Sequence, residues 1–146
     1  MIKLGRITLH RFTQALEPLG LRPRHVAALI ELRDRGEQTQ QALCGQLHLD
    51  PTNLVAVLNE LEERGLATRR RDPEDRRRHL VEISKRGIAL VEKASKVMDG
   101  VEDELLEGLA SGDRERFERL LTSIWERSGA EEGWPQIAAE AQDKAA

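Results

Sequence analysis

The hydrophobic period of this chain changes in one place only, and that place sets the fold. As far as Leu61 apolar residues return at three- and four-residue steps, and from Lys85 onward they do so again. Between them, Leu66 to Arg70 and His79 to Ser84 alternate. Steps of three and four put side chains on one face of a helix, whereas alternation puts them on one face of a strand. The pattern predicts a mostly α chain interrupted by one two-stranded hairpin.

The helical part divides at its punctuation. Ile2, Leu4, Ile7, Leu9, Phe12, Leu16 and Leu19 form one stripe, ended by Pro18 and Gly20. A second helix starts at Arg22 and Pro23, buries Val26, Leu29, Ile30 and Leu32, and stops at Gly36. Thr39 is a good N-cap for a third, which carries Ala42, Leu43, Cys44 and Leu47 inward. Asp50 followed by Pro51 opens a fourth, with Leu54, Val57, Leu58 and Leu61 at helical spacing and Gly65 as its stop. Beyond the hairpin, Ser84 caps a long helix whose stripe is Ile88, Val91, Ala94, Met98, Val101, Leu105 and Leu109. Ser111, Gly112 and Asp113 break it and recap a last helix burying Phe117, Leu120, Leu121, Ile124 and Trp125. Residues 128–146 are rich in Ala, Glu and Gln and are expected to form a flexible tail.

Charge separates along the chain in a way that the net value of -3 conceals. Residues 1–98 carry 18 Lys and Arg against 13 Asp and Glu, while residues 99–146 carry 5 against 13. Within the first part, residues 66–87 hold eight cations and four anions, concentrated in Arg69, Arg70, Arg71, Arg76, Arg77 and Arg78. A basic hairpin tip is an electrostatic footprint for a polyanion. No apolar run approaches the length of a membrane span, and Arg6, His10 and Arg11 interrupt any signal-peptide core, so a cytoplasmic location is expected. The single cysteine, Cys44, can form no internal disulfide.

Two short helices joined by a tight turn and followed by a cationic hairpin are the parts of a winged helix-turn-helix. The second helix of the pair suits the major groove, and the tip reaches the adjacent minor groove. With its leucines inward, the helix from Asp50 to Arg64 exposes Thr52, Asn53, Ala56 and Asn59 as candidates for base contact. Thr39 and Gln40, at a helix N-terminus, and Arg69 are candidates for phosphate.

The run from Arg69 through Asp72, Pro73 and Asp75 to Arg78, closed by Leu80, Val81, Ile83, Ser84 and Gly87, resembles the wing of the multiple antibiotic resistance regulator (MarR) family. Residues 58–66, entering the wing, match the same family. The resemblance implies a homodimer with intertwined terminal helices that places two recognition helices on a palindromic operator. It implies a DNA-binding winged domain over residues 21–87 and a helical dimerisation region over 1–20 and 88–127. On that reading Ile7, Phe12, Met98, Leu105, Leu109, Phe117, Leu121 and Trp125 meet a second copy. By position, Asp75 orients Arg77 into the minor groove through an ion pair, with Arg76 and Arg78 beside it. A repressor released by a small-molecule effector is the expected function. Many relatives carry Ser or Thr and Arg where Val55 and Ala56 stand, so direct readout here leans on Thr52, Asn53 or the wing.

Other readings rest on less. Cys44 and His48 are four residues apart on one expected helix, which suggests a metal-responsive regulator, but zinc needs three or four ligands. Core packing of Cys44 is the simpler expectation, with no metal and no cofactor. A winged domain can also serve as a protein-binding module, which salt dependence would distinguish from DNA binding. No nucleophile triad, phosphate-binding glycine loop or metal motif marks an enzyme.

Overall fold

The computed structural model describes residues 2–127. The order is α1 (Ile2–Leu16), a 3₁₀ turn (Glu17–Leu19), α2 (Pro23–Arg35), β1 (Gln38–Thr39), α3 (Gln40–Leu47), α4 (Pro51–Glu63), β2 (Ala67–Arg71), β3 (His79–Ile83), α5 (Lys85–Leu105) and α6 (Ser111–Arg127). The chain is mostly helical, as its period predicts. The sheet has three strands, not the expected two. Its order is β1-β3-β2, with both pairings antiparallel. Gln38 pairs with Val81 and Thr39 with Leu80, so two residues before α3 cover the outer edge of the hairpin. A two-residue strand has no period to read, and for that reason it escaped the sequence.

One apolar cluster joins α1 through α5. Leu16, Leu29, Leu32, Leu43, Leu54, Leu58, Leu61, Leu66, Val81 and Val91 are all fully buried in it. Burying each such side chain stabilises the fold by about 1.5–3 kcal/mol.

The turn from β3 into α5 explains why a serine and a glycine stand three residues apart. Ser84 Oγ donates to the Gly65 carbonyl at 2.7 Å and accepts from the Gly87 N–H at 2.9 Å, while the Ser84 N–H donates to the Leu66 carbonyl at 3.0 Å. These bonds draw α5 so close to the start of β2 that a Cβ on Gly87 would lie 2.2 Å from the Leu66 oxygen. Gly65 itself sits at φ 66°, the left-handed turn that ends α4.

Several boundaries differ from the expected ones. α1 stops at Leu16, and Pro18 lies in the 3₁₀ turn, where its missing N–H costs nothing. α5 ends at Leu105, because Gly108 turns left-handed at φ 89° and Leu109 falls outside the helix. Ala42 is exposed and Cys44 half-buried against the core. Among the described residues nothing closes over the stripe of the last helix. Phe117 is half-buried, but Leu120, Leu121 and Ile124 are 55%, 45% and 53% exposed. α1 likewise leaves Ile2, Leu4 and Ile7 exposed. The side chain of Trp125 and the tail at 128–146 lie outside the described residues.

Candidate nucleic-acid interface

α4 is built as a presenting helix. Asp50 caps it, Oδ1 accepting from the N–H groups of Thr52 at 2.9 Å and Asn53 at 3.0 Å. Hydrogen bonding, first from the Asn53 backbone, holds the Asp50 carboxyl below the usual carboxylate range. Leu54, Val57, Leu58 and Leu61 are buried, and Thr52, Asn53, Ala56 and Asn59 stand on the exposed side. The predicted base-reading face is therefore exposed along its whole length.

Three links fix the helix to the body. Arg24 pairs with Glu60 at 2.7 Å, and the Arg64 guanidinium donates to the carbonyls of Leu19 at 2.8 Å and Gly20 at 2.5 Å. His25, only 3% exposed, accepts the Arg22 N–H on Nδ1 and brings Nε2 to 2.9 Å from a Glu60 oxygen. Burial lowers the His25 pKa, and the Glu60 carboxylate opposes that shift without overcoming it.

The wing tip has a defined shape. The Asp72 N–H donates to the Arg78 carbonyl at 3.0 Å, and the Arg78 N–H donates to the Asp75 carbonyl at 2.8 Å. Asp72 Oδ1 accepts the Glu74 N–H at 2.9 Å and Asp75 Oδ1 accepts the Arg77 N–H at 3.0 Å. Asp75 does meet Arg77, but through the main chain. Its ion pair is with Arg78, at 3.3 Å. The expected Asp75–Arg77 ion pair is thus corrected: one carboxylate oxygen holds the turn at Arg77, and the turn swings Arg78 to the other. Among the described residues Arg71, Arg76 and Arg77 have no ion-pair partner, and all three are exposed.

Alternation along β2 sorts the remaining arginines. Arg69 shares a face with Ala67 and pairs across the sheet with buried Val81, so it points toward α4. There its N–H and Nε each donate to Glu62 at 2.8 Å, and its Nη2 donates to Glu62 and to Asn59 Oδ1. Arg69 is thus held by Glu62 and Asn59 and does not stand free. Arg70, on the opposite face, is held by both oxygens of Glu37, at 2.8 and 3.0 Å. Glu62 and Glu37 were invisible as partners because no local spacing links them to the wing.

Thr39 caps α3, its Oγ1 accepting from the Ala42 N–H at 3.1 Å. It lines an open groove with Gln40, Gln41, Cys44, Pro51, Arg77, Arg78 and His79. The groove brings the N-termini of α3 and α4, both positive dipole ends, beside the wing arginines. Gln41 and His79 join this surface without having been foreseen. Cys44 sits in it with its thiol pKa raised, first by burial and then by Asp50. His48 leaves α3 at φ 48°, so the helical relation between Cys44 and His48 stops at the cap. Among the described residues no helix is long and apolar enough to cross a membrane.

Comparison with known proteins agrees with this geometry. The sequence model of the MarR family matches residues 21–79. The chain is 30% identical over 117 residues to the uncharacterized HTH-type transcriptional regulator YwoH of Bacillus subtilis, covering 80% of this chain and 85% of that one. Among solved structures, CouR of Rhodococcus jostii RHA1 bound to p-coumaroyl-CoA superposes with a TM-score of 0.69 at 28% identity, covering 84% of this chain and 86% of that one. A mutant MarR of E. coli complexed with operator DNA shares the fold, with a TM-score of 0.71 at 23% identity and coverages of 84% and 88%. With its recognition helix, basic wing and these relatives, the chain belongs to the MarR family of DNA-binding winged helix-turn-helix transcriptional regulators.

Proposed function

We propose that the chain represses transcription as a homodimer, binding a palindromic operator and leaving it when a small-molecule effector binds. One observation carries this reading: the recognition face and the unpaired Arg76 and Arg77 lie on the winged part, while the open apolar faces of α1 and α6 lie on the terminal helices. Thr52, Asn53, Ala56 and Asn59 enter the major groove, and Arg77 enters the minor groove, where a narrow A·T-rich stretch attracts it. Thr39 and Gln40 hold phosphate at the start of α3.

A second copy covers Ile7, Leu109 and Leu121, with Phe12, Met98, Leu105 and Phe117 contributing their half-buried sides and Trp125 joining them on α6. Dimerisation sets the two recognition helices about one DNA turn apart, roughly 34–36 Å. An effector that favours a different spacing of those helices weakens binding through its preference for one state. The solved ligand complex of CouR supports an effector in a similar fold.

The test is selection of bound sequences from a pool of random duplexes at two salt concentrations. An enriched inverted repeat with half-sites about ten base pairs apart supports the reading. Binding that is unselective at both concentrations contradicts it.

A further inference from the structure

Neighbouring side chains have already engaged one end of each asparagine amide on the recognition helix, and they engage opposite ends. Asn53 donates from Nδ2 to Asp50 Oδ2. A carboxylate only accepts, so the amide nitrogen faces Asp50 and the Asn53 oxygen is left free as an acceptor. Asn59 accepts on Oδ1 from Arg69 Nη2. A guanidinium only donates, so one lone pair of the Asn59 oxygen is engaged and its NH₂ group is wholly free to donate. The chemistry of the partners thus settles both amide orientations.

Asparagine reads adenine by accepting from N6 and donating to N7 at once. Each amide has one end half engaged and the other wholly free: Asn53 has one N–H bound to Asp50, and Asn59 has one oxygen lone pair bound to Arg69. The geometry points to a split readout: Asn53 accepts from an adenine N6 or cytosine N4 amine, Asn59 donates to guanine N7 or O6 or thymine O4, and Arg69 and Glu62 are the positioning residues that impose the second polarity. Arg69 is suited to that role because Glu62 takes its N–H, Nε and Nη2. Thr52, Ala56 and Asn59 recur at four- and three-residue steps on one exposed face, so the clamp acts on the same stripe that meets the bases.

This inference rests on the operator-binding reading, and its test separates the two. Bound duplexes are selected with the wild-type chain and with R69M, E62Q and N59D, after thermal melting confirms that each variant folds. R69M frees the Asn59 amide, so one position in each half-site moves toward adenine, by about tenfold in relative affinity. E62Q moves the same position less. N59D, an exposed substitution that keeps the Arg69 bond but removes the donor, turns that position from guanine or thymine toward cytosine or adenine. The salt dependence of R69M stays that of wild type.

The opposite result is equally definite. If R69M weakens all sequences alike and lowers the salt slope by about 0.9 for each arginine lost, Arg69 is a phosphate contact and the inference is overturned. An unchanged preference in N59D overturns it as well. A wild-type chain that enriches no sequence overturns the operator reading, and this inference with it.

Discussion

α4 and α6 carry the same kind of apolar stripe, yet one is closed and the other open. Leu54, Leu58 and Leu61 on α4 are completely buried, while Leu120, Leu121 and Ile124 on α6 are about half exposed. α4 lies over α2 and β2, which supply its cover from within the chain. Among the described residues nothing gives α6 a comparable cover, and α1 shows the same openness at Ile2, Leu4 and Ile7. An amphipathic pattern says that a face will be covered, not by whom. The stripe of α4 is closed from within the chain, whereas α6 and the exposed part of α1 present the surface that a second copy would need.

The largest expected effect attacks the open region. Leu105→Arg places an unpaired charge in the proposed dimer interface, at a cost of about 3–5 kcal/mol. Sedimentation equilibrium should then give the chain mass alone, with operator affinity lost in parallel. An intact dimer in that variant would separate Leu105 from the interface. Leu58→Ala attacks the closed region instead. A cavity under α4 should lower stability by about 2–5 kcal/mol in urea unfolding, whatever the state of assembly.

Gly87→Ala is next in size. With the Leu66 carbonyl in the way of its Cβ, α5 must shift, and a loss of about 1–3 kcal/mol is expected even though alanine is the better helix former. Stability equal to wild type would mean that the turn yields easily. Arg77→Ala should touch neither region's packing. Operator affinity should fall several-fold in titration while mass and melting temperature hold, and unchanged affinity would remove Arg77 from the interface.

The smallest effect is a pH dependence within the closed region. Burial keeps the folded-state pKa of His25 below its ordinary value of 6.5, so the unfolded chain binds the proton more readily. The neutral imidazole's contribution is complete above about pH 6.5 and is lost as pH falls below that value toward the folded pKa. His25→Gln should flatten this acid limb of the stability curve. A limb identical to wild type would assign the loss to other groups.

How much of this was legible depended on whether the information was local. The caps at Thr39, Asp50 and Ser84 and the inward leucines of α4 follow from neighbours a few residues apart and stand where the sequence put them, and the two hairpin strands lie within one residue of their expected bounds. β1 was not legible because two residues carry no period. Arg69 and Arg70 looked alike in a basic run, yet alternation sends one to Glu62 and the other to Glu37, acidic partners set by tertiary packing. Asp75 was expected to pair with Arg77, and its choice of Arg78 depends on the turn geometry, which local spacing does not show. The exposed side of the last helix was legible as an apolar stripe, but among the described residues nothing buries it.

The most direct test of the difference between the two regions is the mass of the purified chain in solution, measured by sedimentation equilibrium at micromolar concentration. A species of twice the 16.5 kDa chain mass is the predicted result. A single 16.5 kDa species would contradict it, because the open faces of α1 and α6 would then have no second copy to cover them.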